Sequence, residues 1–133
     1  MFYKYDFENA IAVPEPFKRY ITPIFMGDDA KIKGCTFSLH MTEWEPGCMI
    51  DKHSHPDATE AMFCISGSAD ITIGGESHKF TPGCLMVAEP NVEHQLINTG
   101  EEMLRVFCVF SPPITAQGLR ERAMGAVDAS KEK

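Results

Sequence analysis

The chain of 133 residues carries 12 Lys and Arg against 19 Asp and Glu, for a net charge of −7 and a pI near 5.1. That balance argues against a nucleic-acid or anionic-membrane partner, and the length allows one domain with a real core but not two. A hydrophobic content of 44% beside 23% charged residues is that of an ordinary globular protein.

Residues 1–10 alternate aromatic with charged side chains and lack the apolar stretch of a signal peptide. No apolar run approaches the roughly 18 residues of a membrane span. Five cysteines, Cys35, Cys48, Cys64, Cys84 and Cys108, form no CxxC pair and read as reduced thiols, so a cytoplasmic location is expected. Tyr3 to Phe7 reads as a short strand or extended arm. Pro14, Pro16 and Pro23 exclude a long helix in the next twenty residues. The boundaries expected are an arm over 1–35, a barrel over 36–110, and a helix and tail over 111–133.

Strands follow in quick succession after Lys33-Gly34. The first, 36–43, places Phe37, Leu39 and Met41 on one face and Ser38, His40 and Thr42 on the other. The apolar face is taken as inward, which puts His40 at an interface or in solvent. Glu43, on the same parity as Met41, becomes a candidate general base at the barrel mouth. Trp44 is expected to anchor the turn that follows.

Strand 49–54 ends in His53-Ser54-His55, whose two imidazoles point to one face of an extended chain. Pro56 to Thr59 reads as a turn, so that Glu60, at the head of strand 60–65, can return beside them. Strands 69–73 and 77–80 flank Gly74-Gly75, a two-residue hairpin signal. Strands 84–88, 93–98 and 103–110 complete eight, and the fourth ligand-type side chain, His94, follows Glu93 at the start of strand 93–98. Eight short strands punctuated by turns indicate a sandwich or barrel, and suit a jelly roll. Beyond Pro112-Pro113, Ala116, Leu119, Ala123 and Val127 recur at helical spacing, predicting a short amphipathic helix before a polar, frayed tail at 128–133.

His53, His55, Glu60 and His94 together make an N/O donor set for one divalent transition metal ion, with positions left open for substrate or water. Iron, manganese, nickel, cobalt and zinc all accept such a set. Parity then places Met62, Cys64, Leu96 and Asn98 on the inward face with the ligands, as candidate walls of a substrate pocket. Asn98 is expected to fix a turn or support a ligand rather than to touch substrate. His78 is expected at the surface, and Arg105 is expected to be exposed.

The spacing of these residues carries a likeness. Gly47, five residues, His53, one residue, His55, four residues, Glu60, six residues and Gly67 resembles the first motif of the cupin superfamily. Gly83 and His94-x-x-x-Asn98 resemble the second, although six residues precede Pro90 and Val92 stands where a glycine is usual. The resemblance implies an eight-stranded jelly-roll barrel, the double-stranded β-helix, in a small single-domain protein. It also implies a homodimer, with the N-terminal arm lying either on a neighbouring subunit or on its own barrel.

The activity expected is that of a metal-dependent enzyme acting on a small keto, hydroxy or sugar acid, of the isomerase, lyase or decarboxylase type. An Fe(II)-dependent dioxygenase and a non-catalytic ligand-binding module are the alternatives.

Overall fold

A computed structural model describes residues 2–29 and 36–131. Among them are ten strands and one α-helix. The strands are β1 (Ile11–Val13), β2 (Arg19–Phe25), β3 (Ser38–Trp44), β4 (Met49–His53) and β5 (Thr59–Ser66), followed by β6 (Ala69–Ile73), β7 (Glu76–Phe80), β8 (Leu85–Ala88), β9 (His94–Asn98) and β10 (Leu104–Ser111). They form a six-stranded sheet ordered β1-β2-β3-β10-β5-β8 and a four-stranded sheet ordered β4-β9-β6-β7. This is the expected jelly-roll arrangement, two antiparallel sheets face to face, with helix α1 (Ala116–Lys131) at the C-terminus. Among the described residues no helix is long and apolar enough to cross a membrane.

All eight anticipated strands are present with ends shifted by at most two residues. β1 and β2 are additional, while Tyr3–Phe7, expected as a short strand or extended arm, joins no sheet and runs into a 3-10 turn at Phe7–Asn9. Ile11 pairs with Ile21, and Ile21 pairs in turn with Thr42 of β3, so the arm extends the large sheet. Pro23 is tolerated because the β2–β3 register breaks between Pro23 and Phe25, which relieves the ladder at the residue without an N–H. Tyr3 packs edge-on against Phe25 with ring centroids 5.4 Å apart, and the Tyr5 hydroxyl donates to the Glu43 carboxylate. The described arm therefore lies on its own sheet. Lys33-Gly34 and Cys35 fall outside the described residues.

Two apolar cores result. The larger fills the space between the sheets with Trp44, Met62, Cys64, Phe80, Leu96, Leu104 and Val106. The smaller joins Ile11, Val13, Phe17, Ile21 and Met26 of the arm to Leu119, Ala123 and Val127 of α1. The stripe read from the sequence is thus the buried face of the helix, but the helix continues through Lys131 rather than fraying at 128. The four described cysteines are free thiols.

The turn geometry around the motifs explains their glycines and one departure. Gly67 adopts a φ of +90°, and an added Cβ would meet the Leu104 Cα at 2.9 Å, so a side chain there is excluded twice over. Before His94 the left-handed position is taken by Asn91, at a φ of +67°. Asparagine tolerates that conformation, which accounts for Val92 standing where glycine is usual.

Candidate metal centre and cavity

The β4–β9 ladder sets His53 directly opposite His94. His55 follows in the turn, where its carbonyl accepts from the Asn91 N–H at 2.8 Å. Glu60 comes from the facing sheet, on β5, and points inward with Met62 and Cys64 while Phe63 and Ile65 point out. The four expected side chains meet, with donor atoms all within 4.8 Å of one another. Ring centroids are 4.3 Å apart for His53–His94, 4.8 Å for His53–His55 and 5.4 Å for His55–His94. Donors held about 2.1 Å from one ion lie roughly 3 to 4 Å apart, so the cluster needs little adjustment to grip a cation.

Hydrogen bonds orient these donors. The Nδ1–H of His53 donates to the Asp51 carbonyl at 2.7 Å, and that of His94 donates to the Val92 carbonyl at 3.0 Å. A carbonyl only accepts, so each ring keeps its proton on Nδ1 and turns the Nε2 lone pair toward the cluster. The Nε2 atoms of His55 and His94 are buried and make no hydrogen bond, while lying 3.4 and 3.6 Å from the two Glu60 oxygens. Buried polar atoms left in this state are costly, and a cation among them would satisfy all of them together.

The electrostatics agree. Burial opposes ionisation of Glu60, yet the adjoining imidazoles of His55 and His94 hold its carboxyl well below the usual range. Burial also opposes protonation of His94, but Glu60 and the Val92 carbonyl outweigh it and raise its pKa. His53, desolvated beside two other imidazoles, is pushed down to about 4. Glu60 is therefore a carboxylate and His53 a neutral nitrogen donor at neutral pH, and a cation beside Glu60 would displace the proton that Glu60 favours on His94, since imidazoles ligate only when neutral.

The cluster opens into a cavity of about 260 Å³ whose wall includes Thr42, Trp44, Ile50, Met62, Cys108 and Phe110. Of the four wall residues anticipated, Met62 is there. Cys64, Leu96 and Asn98 share the inward face but lie deeper, in the closed part of the barrel. Asn98 is a brace: its Nδ2 donates to the Trp44 and Glu102 carbonyls, and its Oδ1 accepts from the Gly100 N–H. Trp44 is a fully buried cavity-wall residue beside that brace.

Two further expectations are reversed by the facing of β3. Its inward residues are Ser38, His40, Thr42 and Trp44, so His40 is only 3% exposed and lines the cavity, its ring stacked on Phe110 at 5.6 Å. Glu43 is on the outer face, held by the Tyr5 hydroxyl and by Arg105 Nε at 3.0 Å, away from the cavity. Arg105 is accordingly half-exposed and paired rather than free. His78 lies at the surface beside Glu76. The apolar alternation of β3 misleads because the arm covers its outer face, which makes both faces of that strand dry.

Burial pushes His40 down to about 4 from an ordinary 6.5, against the pull of Glu60 and with the help of Arg19 and Arg122. The unfolded chain takes up this proton below pH 6.5 and the folded one does not. Stability from His40 is therefore complete above pH 6.5 and is lost toward pH 4, by about 1.4 kcal/mol per unit. Urea titrations between pH 7.5 and 4.5 are expected to show a shallower acid decline for His40→Gln than for the wild type. Parallel curves would refute the assignment.

A family model described as Cupin domain matches residues 40–110. L-ectoine synthase of Bordetella parapertussis is 38% identical over 93 residues, covering 68% of this chain and 70% of that protein. The crystal structure of ectoine synthase from P. lautus is similar at a TM-score of 0.72 and 25% identity, over 92% of this chain and 86% of its own. A predicted oxalate decarboxylase from Thermotoga maritima shares the fold at a TM-score of 0.67 and 14% identity, over 83% of this chain and 93% of its own.

Proposed function

From the premise that this chain belongs to the cupin family, we propose that it is a metal-dependent enzyme acting on a small oxygenated acid by lyase or isomerase chemistry. The observation that carries this is the convergence of His53, His55, Glu60 and His94, the first three of them on the wall of a cavity partly open to solvent. The synthase relatives support a reaction without net oxidation over the dioxygenase alternative.

A divalent ion held by these four side chains supplies Lewis acidity toward a substrate oxygen. The chain's own residues do the rest. The Asp51 and Val92 carbonyls lock the tautomers of His53 and His94. Trp44, Met62 and Phe110 give the cavity an apolar wall beside the cluster, and a low-polarity wall strengthens nearby charge interactions. His40, rather than Glu43, is a titratable side chain on the cavity wall outside the cluster, and it stands there neutral with an unpartnered Nδ1.

A cytoplasmic homodimer is proposed with this activity. The outer face of β5 and β8 exposes Phe63, Ile65, Leu85 and Val87, an apolar band suited to self-association.

Elemental analysis of protein purified without added metal tests the reading. About one equivalent of iron, manganese, nickel, cobalt or zinc is expected, together with turnover of hydroxy or keto acids that stops on chelation and consumes no oxygen. Turnover that persists in chelator-treated, metal-free protein would overturn it.

A further inference from the structure

We infer that Arg19 of β2 and Arg122 of α1 form the acid-binding end of the cavity, so that a small ligand's carboxylate is held there and its hydroxyl or carbonyl oxygens are left to the His/Glu cluster. This rests on the cavity being a ligand site, as proposed above, and adds the orientation and class of the ligand.

Arg19 is 7% exposed, lines the cavity and has a fully buried Nε without a hydrogen-bond partner. Among the described residues no carboxylate forms an ion pair with it. An unpaired guanidinium in such a place is costly and stays charged, because arginine does not give up its proton. The acids on the cavity wall are Glu60, which lies between two imidazoles, and Asp51. A ligand carboxylate is the group that would complete Arg19, and a guanidinium fork matches it with two parallel hydrogen bonds.

Arg122 supplies an independent second charge. It lies one turn from Leu119 and next to Ala123, the helix residues that roof the cavity, and its guanidinium sits 5.1 Å over the Phe110 ring. That cation–π contact fixes its direction without neutralising it. No ion pair engages Arg122 among the described residues either. The charges of both arginines bear on His40, which lies on the wall they share. Both lie outside the residues 40–110 matched by the family model, so they are contributed by the arm and the C-terminal helix rather than by the barrel. The cavity, at about 260 Å³, is below the range of roughly 300–1,000 Å³ that serves drug-sized ligands. A compact acid fits that volume.

The test uses 4-hydroxybutyrate and its uncharged analogue 4-hydroxybutanamide, titrated into metal-free and zinc-loaded full-length protein while the arginine Nε–H resonances are followed. The acid is expected to shift the Arg19 signal in both forms, and the amide to bind at least tenfold more weakly. Arg122→Gln, on an exposed helix position that does not threaten folding, is expected to weaken the acid at least tenfold and leave the amide unchanged. Arg19→Lys, which keeps the charge and loses the fork, is expected to weaken the acid as well. Equal affinity for acid and amide, no acid-dependent shift, or an Arg122→Gln protein within twofold of wild type would overturn the inference. Acid binding that persists in protein unable to take up zinc would leave the inference standing and defeat the metal-centred reading instead.

Discussion

Glu60→Gln is expected to lower metal affinity by at least 100-fold and to abolish turnover, while the protein remains folded. The amide keeps the shape of the carboxylate and removes its charge, so three imidazoles are left to hold a dication alone. Disturbing groups that merely orient metal ligands costs about 10 to 100-fold, and loss of a direct anionic donor exceeds that. Folding should survive because the amide fills the same volume and stays beside His55 and His94, although the stabilisation those imidazoles give the carboxylate is lost. The substitution also removes the anion that raises the His94 pKa. Metal titration by competition with a chromophoric chelator, beside circular dichroism, checks both halves. Stoichiometric, tight metal in the folded variant would show that the four side chains do not act as one ligand set.

Phe110→Ala is expected to have the largest effect on stability, about 3 to 5 kcal/mol by analogy with other buried phenylalanines, or a fall in Tm of about 10 to 20 °C for a chain of this size. Phe110 is 2% exposed and pairs with Glu60 across the β10–β5 ladder. Its ring meets His55 edge-on at 5.1 Å, stacks on His40 and carries Arg122. Truncation therefore opens a void and releases three polar side chains at once. Phe110→Leu, which keeps most of the volume, should lose less than half as much stability while still freeing Arg122. A thermal melt of the two variants decides it, and an alanine variant within about 1 kcal/mol of wild type would contradict the packing described.

Much of the site was legible because strand parity and ligand spacing are local properties. His53 and His55 two apart, Glu60 after a turn, and His94 at the head of its strand mark the four donors that meet between the two sheets. The same parity joined Met62 to Glu60, and Leu96 and Asn98 to His94. Parity says which residues share a face but not which face is inside. On β3 the apolar set marks the outer side, since Tyr3 and Tyr5 cover that side of the sheet, and the reading of His40 and Glu43 turned on this point. Nor does parity say how deep a residue lies along the barrel, which separates Met62 from Cys64. Arg19, Phe110 and Arg122 were missed for a further reason. They come from three distant stretches of chain, and only the docking of the arm and α1 brings them together. An arginine just after Pro14-Glu15-Pro16-Phe17-Lys18, at the start of the alternating run Arg19–Phe25, was the available signal.

The cavity lies at the seam between two separately packed bodies. Its cluster and most of its wall belong to the barrel, but Ile21, Leu119 and Ala123 belong to the small core built from the two ends of the chain. Cooperative units of unequal stability can open one at a time, and the smaller has fewer fully buried apolar residues to hold it shut. Transient release of that clasp would widen a cavity already partly open to solvent, without disturbing the four metal-facing side chains. Slowed amide exchange in 116–127 on adding ligand would be its signature, and a fusion partner joined to the C-terminus would hamper it.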